Sequence, residues 1–268
     1  LNPRTAAAML DIARGHLRDG RQLLVFNTHA DWDHCWGNQL FVGPGAPAPA
    51  PIVASRLCAE RFRAPEAGAY LRSMQEQEPA RFGEVRLVAP TVLFDERLTI
   101  DGGDLTLELF ATPGHTPDHV AVWLPEIRTL LAGDAAELPF PFARSPGSIP
   151  TLRRTLARMV ELEAATALYC HAPIDRGPGL LRENIAYFDA LERQCREALA
   201  GGVAARPGDD EDVEALVAFP FAAALPPGTD GAALPDFYWQ GHRGQIRMML
   251  AYLGGEERAA GKVGAAGD

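Results

Sequence analysis

The sequence lacks four features that would place it in other classes of protein. No apolar stretch approaches the length needed to cross a bilayer. The four cysteines contain no CxxC pair and are too sparse for a disulfide framework. Lysine and arginine total 25 against 35 acidic residues, and the formal net charge of −10 disfavours nucleic-acid binding. Nothing resembling a secretory signal precedes the first helical pattern. We therefore expect a cytoplasmic protein with reduced thiols and with neither a nucleic-acid nor a membrane partner.

The composition is that of an ordinary soluble globular protein. The chain has 268 residues, of which 47% are hydrophobic and 22% are charged. This length suits one large core, so we predict a single domain over residues 1–268. Within it, apolar residues at helical spacing predict a C-terminal helical segment at about residues 178–253.

The densest group of polar side chains directly follows the apolar stretch Leu23–Phe26. The run Thr28–His34 reads Thr-His-Ala-Asp-Trp-Asp-His, and its imidazole and carboxylate side chains are His29, Asp31, Asp33 and His34. Divalent transition metals bind these groups at neutral pH, and groups packed this closely repel or compete unless a cation organises them. The run therefore predicts a metal site.

Three further candidate ligands lie downstream, each where a predicted strand gives way to a loop. They are His115 in Thr-Pro-Gly-His-Thr-Pro, Asp134 in Leu-Ala-Gly-Asp and His171 in Leu-Tyr-Cys-His. Such positions hold a ligand on rigid backbone while its head group stays open to solvent and substrate. The repeated arrangement strengthens the prediction of a metal site.

In this order the residues resemble the metallo-β-lactamase fold superfamily, whose signature is HxHxDH, then a PGHT-like His, a GD-like Asp and a final His after a strand. The resemblance runs from about Val25 to His171 and implies an α/β fold, an αββα sandwich of two mixed β-sheets flanked by helices. Members usually begin with a strand hairpin and an Asp-Thr-Gly turn, which are not found here. We expect a fold without those N-terminal strands, its sheet edge covered by a second copy in a homodimer or by an upstream segment.

The resemblance also implies ligands for two divalent metal ions. The first ion is expected to bind His29, Asp31 and His115. The second is expected to bind Asp33, His34 and His171. Asp134 is expected to bridge the two ions. One position departs from the pattern, because Asp31 stands where the second His is usual. A carboxylate is a harder ligand than an imidazole, so Asp31 shifts the metal preference of the site towards iron or manganese. It does not exclude zinc, which is the metal that we favour.

The function implied is that of a binuclear metal-dependent hydrolase that acts on a small-molecule substrate and cleaves a thioester, an ester or a lactone with a metal-bound hydroxide. Two cations lower the pKa of a shared water from about 15.7 towards about 7, and one of them polarises the carbonyl oxygen. Asp33 is the catalytic candidate, since it would orient or deprotonate that water. We favour an ester-type bond over a phosphodiester because no cationic phosphate clamp stands out.

Three alternatives stay open at this point. Asp31 is similar to the acidic ligand of the flavodiiron branch, which suggests a non-haem iron redox enzyme of the flavodiiron or persulfide-dioxygenase type. A β-lactamase-like amide hydrolase is the second. A catalytically inactive binding protein is the third, although that class would have lost several ligands and only one is replaced here.

Four more residues are candidates for substrate contact, each with a structural alternative: His119, Phe140, Phe142 and His242. For His119 the alternative is a hydrogen bond that supports the site, and for the others it is packing. Cys35 and Cys170 each adjoin a proposed ligand, but free cysteine commonly behaves as a small buried hydrophobe, so we predict packing for both.

The local patterns predict the main elements. Asn2 and Pro3 ahead of an Ala-rich helical pattern predict an N-capped first helix with proline in its first turn. Short apolar or alternating segments predict a second sheet, formed by Val85–Ala89, Thr91–Phe94, Arg97–Ile100, Leu105–Ala111, Val120–Leu124 and Thr129–Ala132. The last predicted element is an amphipathic helix over Asp236–Leu253, with a frayed end after Gly254.

Overall fold

A computed structural model of the chain describes residues 2–17 and 21–264. The ends of the predicted domain, residues 1 and 265–268, lie outside the described residues. The chain divides into two compact units. The N-terminal unit comprises the described residues up to Thr112 together with Pro117–Glu126, and the C-terminal unit comprises Pro113–Thr116 and the described residues from Ile127 onward. The single domain predicted over residues 1–268 stays a prediction.

The N-terminal unit begins with the predicted capped helix. Oδ1 of Asn2 accepts a hydrogen bond from the backbone N of Thr5 at 2.9 Å, and Pro3 opens the helix, which confirms the predicted cap. The elements of this unit are α1 (Pro3–His16), β1 (Val25–Phe26), α2 (Trp32–Cys35), β2 (Ile52–Ser55), α3 (Arg56–Arg63), α4 (Pro65–Gln77), α5 (Pro79–Phe82), β3 (Val92–Phe94), β4 (Arg97–Asp101), β5 (Thr106–Ala111) and β6 (Val120–Leu124).

Two strand sets build this unit. The strands β1, β2 and β3 pair in parallel, with β2 in the middle and buried at all four of its positions, as its apolar run requires. The strands β4, β5 and β6 pair in antiparallel order, and β4 alternates between exposed and half-buried positions. A core cluster fills the space around β2, β5 and β6; its buried members are Val53, Phe94, Leu109, Val120 and Val122.

The C-terminal unit is mainly helical. Its elements are β7 (Thr129–Gly133), α6 (Ile149–Glu161), β8 (Thr166–Tyr169), α7 (Gly179–Ala200), α8 (Val213–Leu216), α9 (Phe221–Ala224) and α10 (Asp236–Gly264). The strands β7 and β8 pair in parallel. The helix α6 buries residues at spacings of three and four, such as Leu152, Leu156 and Met159, which is the stripe expected of a helix packed on one face. Arg153 joins α6 to Asp189 and Glu192 of α7.

Three predicted elements are wrong in detail. Val85–Ala89 is not a strand, because side chains replace a strand partner: Asn38 donates to the carbonyl of Val88 at 3.0 Å, and Oε1 of Gln39 accepts from the backbone N of Arg86 at 2.6 Å. The segment near Thr91 does form β3, but β3 pairs with β2 and not with the second strand set. The last helix does not end at Gly254, since α10 continues to Gly264.

Among the described residues, no helix combines the length and the apolar character that a membrane crossing requires.

Candidate metal centre

In the N-terminal unit, the first motif forms the turn after β1 and the start of α2. The side chains of Asn27 and Asn38 brace this turn through two mutual amide hydrogen bonds of 3.1 and 2.8 Å. His29 is fully buried, and its Nδ1 lies 3.0 Å from Oγ1 of Thr28. The turn therefore fixes the imidazole in place instead of leaving it on a solvated loop.

The four polar side chains of this motif come together within the unit. Nε2 of His29 lies 3.6 Å from Oδ2 of Asp31, and Nε2 of His34 lies 3.3 Å from Oδ2 of Asp33. The two imidazole rings have centroids 4.2 Å apart. Asp33 is the most exposed of the four side chains, at 27% against 0% for His29, 17% for Asp31 and 9% for His34. It is therefore the group in this motif with the best access to water.

Asp31 has a second ionic contact, to Arg61 of α3. Nη2 of Arg61 donates to Oδ1 of Asp31 at 3.0 Å, and Nη1 contacts Oδ1 of Asp118. Oδ2 of Asp118 accepts a hydrogen bond from the backbone N of Ala30 at 2.8 Å. Burial alone lowers the pKa of Arg61, but the charges of Asp118 and Asp31 outweigh it and raise that pKa above its ordinary value. The guanidinium therefore stays charged beside the motif.

His119 lies in the same unit and supports the same turn. Its Nδ1 is 2.7 Å from Oγ1 of Thr112, and its ring centroid is 5.1 Å from that of His29. The side chain is fully buried. These contacts agree with a supporting role and weigh against direct substrate contact, which stays a prediction.

In the C-terminal unit, His115 is fixed by the turn that precedes it. Gly114 has a φ of +136°, and a Cβ at this residue would lie 2.4 Å from Cα of Leu152 in α6. Oγ1 of Thr155, also in α6, donates to the carbonyl of Pro113 at 2.6 Å. Nδ1 of His115 lies 3.1 Å from the carbonyl oxygen of Phe142. Because a carbonyl only accepts, Nδ1 carries the proton and Nε2 presents its lone pair.

Asp134 and His171 follow the ends of β7 and β8, which run side by side. Gly133 pairs with Tyr169 in the strand register, so the residues after both strands are neighbours. Oδ2 of Asp134 lies 3.3 Å from Nε2 of His171 and 3.8 Å from Nε2 of His115. The three predicted ligands of this unit therefore converge on one carboxylate.

Glu137 joins this cluster, although the sequence analysis did not select it. Its Oε1 lies 3.1 Å from Nδ1 of His115, and its backbone N and O both bond to the side-chain amide of Asn184. Burial raises the pKa of Glu137; the hydrogen bond and charge of His115 oppose that rise, and Asp134 adds to it. The available signal was an acidic residue inside the otherwise apolar run Ala-Ala-Glu-Leu-Pro-Phe.

Arg144 also stands beside His115, with Nη2 at 3.4 Å from Nε2 of the imidazole. A single arginine beside one imidazole is not a cationic phosphate clamp, so the expectation that no such clamp is present stays a prediction. An isolated arginine in a loop gives no sequence signal, because only the fold brings it to the motif.

The buried acidic residues and His115 of the C-terminal unit fit a divalent metal. One ligand atom each from His115, Asp134 and Glu137 lies within 4.8 Å of the others, and all three residues are buried. Two buried carboxylates side by side are costly unless a cation offsets their charge. Imidazole and carboxylate donors of this kind suit zinc, iron and manganese.

The remaining candidates for substrate contact lie in packed surroundings. Phe140 is fully buried and stacks on Tyr187 with ring centroids 4.8 Å apart. His242 is fully buried; its Nδ1 lies 3.0 Å from the hydroxyl of Tyr187 and its Nε2 lies 2.9 Å from the carbonyl oxygen of Phe219. Phe142 is buried, and its ring fills the space beside Gly241. Their burial favours packing, and their contact with substrate stays a prediction.

The two cysteines beside the ligands differ from each other. Cys35 is fully buried, and its Sγ donates to the carbonyl of Asp31 at 2.9 Å. Cys170 is exposed, so the prediction that it packs as a hydrophobe is wrong. It follows β8 at a position where the strand has ended and the backbone turns towards His171.

Comparison with protein families matches residues 3–171 to the Metallo-beta-lactamase superfamily, which is more than half of the chain. Two curated relatives match shorter stretches. A Beta-lactamase-like protein 2 homolog from Caenorhabditis elegans is 54% identical over 37 residues, 14% of this chain and 12% of that protein. A Hydroxyacylglutathione hydrolase from Mesorhizobium japonicum is 34% identical over 73 residues, 25% of this chain and 27% of that protein. The chain thus matches less than a third of the length of either relative.

Solved structures share the fold at low sequence identity. A stereoselective inverting sec-alkylsulfatase from Pseudomonas sp. superposes with a TM-score of 0.60 at 16% identity, over 94% of this chain and 44% of that one. A metallo-beta-lactamase family protein from Thermus thermophilus superposes with a TM-score of 0.54 at 22% identity, over 71% of this chain and 68% of that one. At these identities the likeness concerns the fold alone.

Proposed function

Because the chain belongs to the metallo-beta-lactamase superfamily, we propose that it is a metal-dependent hydrolase with a binuclear centre that cleaves an ester-type bond. The predicted metallo-β-lactamase fold, with its mixed sheets and flanking helices, is confirmed by the family match and the structural likeness. One observation carries the proposal. Seven side chains that the signature selects each lie against another of the seven within their own unit, and they offer only nitrogen and oxygen donors.

The residues that would hold the metal ions are those of the family pattern: in the N-terminal unit His29, Asp31, Asp33 and His34, and in the C-terminal unit His115, Asp134 and His171. When bound, such cations lower the pKa of a coordinated water and polarise a carbonyl group. Zinc is the metal that we propose, with iron or manganese as the alternatives that the carboxylate of Asp31 would also accept.

The protein's own groups set up the reaction in three ways. The carbonyl of Phe142 keeps Nε2 of His115 unprotonated and available as a ligand. His29 and His115 are each buried within their own unit, and burial lowers the local dielectric, which strengthens the charge interactions that each side chain makes. Asp33, the most exposed of the N-terminal ligands, holds or accepts the proton of the attacking water.

A thioester is the substrate bond that we favour. One relative is a Hydroxyacylglutathione hydrolase by name, and that name describes cleavage of an acyl thioester. Arg144 beside His115 could pair with an anionic group of a substrate, so phosphodiesters and sulfate esters belong in the same test. Lactones and β-lactams complete the set of carbonyl substrates.

The test combines metal analysis with a substrate panel. We expect about two zinc ions per freshly purified chain and turnover of a thioester, an ester or a lactone. Asp33→Ala should reduce turnover by about 10²- to 10⁴-fold, the usual contribution of a positioned acid or base. Asp95→Ala, which removes an exposed aspartate paired with Arg56 in the same unit, should leave turnover unchanged.

Two outcomes would contradict the proposal. A metal-free protein, or an Asp33→Ala variant with full turnover and full metal content, would show that the assignment is wrong. Iron in protein from iron-supplemented cells, with oxygen uptake on a persulfide or a reductant and no hydrolysis, would favour the non-haem iron alternative that Asp31 suggests.

A further inference from the structure

The ligand that departs from the family pattern is also the one held by an arginine. Asp31 replaces an imidazole, and Arg61 of α3 reaches it from 30 residues further along the chain. An imidazole at position 31 that bound a metal through one nitrogen would carry a proton on the other, so it would have no lone pair left for a guanidinium 3 Å away. A carboxylate gains a charge-assisted hydrogen bond. The two residues therefore form a matched pair.

Arg61 is itself held in a fixed direction. Its Nη1 contacts Oδ1 of Asp118, whose side chain is fully buried. Oδ2 of Asp118 accepts from the backbone N of Ala30, and its carbonyl accepts from Oγ of Ser55 at 2.9 Å. That same hydroxyl caps α3 by accepting from the backbone N of Cys58 at 3.1 Å. The guanidinium is therefore braced through Asp118 to both the motif turn and the start of α3.

In this arrangement the two carboxylate oxygens of Asp31 face different neighbours. Oδ1 lies 3.0 Å from Nη2 of Arg61, whereas Oδ2 lies 3.6 Å from Nε2 of His29. A carboxylate fixed in this way presents one oxygen on the side of the neighbouring ligand and cannot rotate to chelate a cation with both. Arg61 also offsets one of the two negative charges that Asp31 and Asp118 place around Ala30.

We propose that Arg61 is a positioning residue for the metal ligand Asp31: it takes Oδ1, keeps Oδ2 directed to the cation shared with His29, and depends on Asp118 for its own orientation. The inference rests on the proposed function, since it assumes that Asp31 binds a metal. It goes further by assigning a role to two residues outside the family's ligand set. A salt bridge that only stabilises the fold is the competing explanation.

The experiment uses the full chain, stripped of metal and titrated with Co²⁺, whose visible absorption reports ligand geometry. Arg61→Lys keeps a cation but gives one point contact in place of the planar fork, so it cannot hold Asp31 and Asp118 together. Asp118→Asn keeps the shape of the anchor and removes its charge. Arg56→Lys, on the same helix and paired with exposed Asp95, is the matched control.

Loss of a partner outside the ligand shell commonly weakens a metal by about 10- to 100-fold. We expect both Arg61→Lys and Asp118→Asn to weaken at least one bound Co²⁺ by that factor and to change its absorption spectrum, with Arg56→Lys unchanged. Circular dichroism and the melting temperature of the metal-free proteins verify folding. Should one variant fail to fold, the other gives the answer.

The outcomes separate the two proposals. If both variants bind Co²⁺ within about twofold of the wild type and with the same spectrum, the pair is only a structural salt bridge and this inference is wrong, while the proposed function stands. If the wild-type chain itself binds no Co²⁺, the proposed function fails and this inference fails with it.

Discussion

At the scale of single residues, the chemistry of the candidate centre depends on the groups that form hydrogen bonds or ion pairs with each ligand side chain. His115 shows this most clearly, because its Nδ1 faces both the carbonyl of Phe142 and the carboxylate of Glu137. Partners of this kind set the tautomer of a ligating imidazole and raise its basicity. His115 can therefore offer a directed and electron-rich Nε2 to a cation.

Glu137→Gln tests this contribution, because glutamine keeps the size of the side chain and removes its charge. We expect metal affinity to fall by about tenfold or more, measured by competition with a chromogenic chelator. Glu161→Gln, which changes an exposed glutamate at the end of α6, is the control. Equal affinities for Glu137→Gln and the wild type would remove Glu137 from the centre.

A second residue-scale prediction concerns the buried His242. Burial lowers the pKa of His242 below the ordinary 6.5, and the hydrogen bond to Phe219 and the charge of Glu214 only partly oppose this. Between the folded and the unfolded pKa, His242 is therefore protonated in the unfolded chain and neutral in the folded chain. The stability that neutral His242 contributes is complete above about pH 6.5 and is lost as the pH falls through its lower folded pKa.

We expect the melting temperature to fall between pH 7.5 and pH 5.5, and to fall less steeply in His242→Gln. Because the proposed ligand histidines titrate in both proteins, the difference between the two slopes isolates His242. The measurement is a series of calorimetric melts in chelator. Parallel slopes would show that His242 does not contribute to the pH dependence.

At the scale of elements, ligands sit where strands and turns end. Asp134 and His171 follow neighbouring parallel strands, and His115 follows a turn that packs on α6. Strand ends give a rigid base and an open head group. These positions were predictable, because each motif is local and follows its own apolar run.

Gly114→Ala tests how the turn before His115 depends on α6. The φ of +136° and the 2.4 Å approach of Leu152 leave no room for a Cβ, so we expect a loss of roughly 1–3 kcal/mol or more in unfolding free energy. Gly244→Ala in α10 meets nothing within 4 Å and should gain about 0.5–1 kcal/mol. Chemical denaturation measures both. A neutral Gly114→Ala would contradict the close packing.

Pairing between elements was less predictable than the elements themselves. Most predicted strands exist near their predicted bounds, since alternation and turn residues are local signals. The assignment of the Thr91 segment to a strand set failed because strand pairing depends on which backbone lies alongside, and here that is β2. Val85–Ala89 failed because the amide groups of Asn38 and Gln39 satisfy its backbone.

At the scale of the whole molecule, the acidic balance and the candidate centre have one common consequence. The chain has a net charge of −10, and the carboxylates at the candidate metal centre repel one another. Both effects destabilise the folded state. A cation bound there relieves the repulsion, and a ligand that binds only the folded state stabilises it by mass action.

Metal removal should therefore lower the stability of the whole chain. With zinc at 100 times its dissociation constant we expect about 2.7 kcal/mol of stabilisation, or roughly 5–10 °C in melting temperature, over the chelated protein. Asp134→Asn should shrink this shift, since Asp134 contacts both His115 and His171. A shift of equal size in Asp134→Asn would place the zinc elsewhere.

The sequence by itself determined the fold family, the type and order of the seven candidate ligands, and most helices and strands, because each rests on residues that are close together in the chain. Tertiary structure alone decided which other side chains form hydrogen bonds or ion pairs with those ligands. Arg61 reaches Asp31 across 30 residues, and Glu137 reaches His115 across 22. Such contacts leave no local pattern, since packing and the desolvation of buried charge select the partner and the spacing of residues along the chain does not.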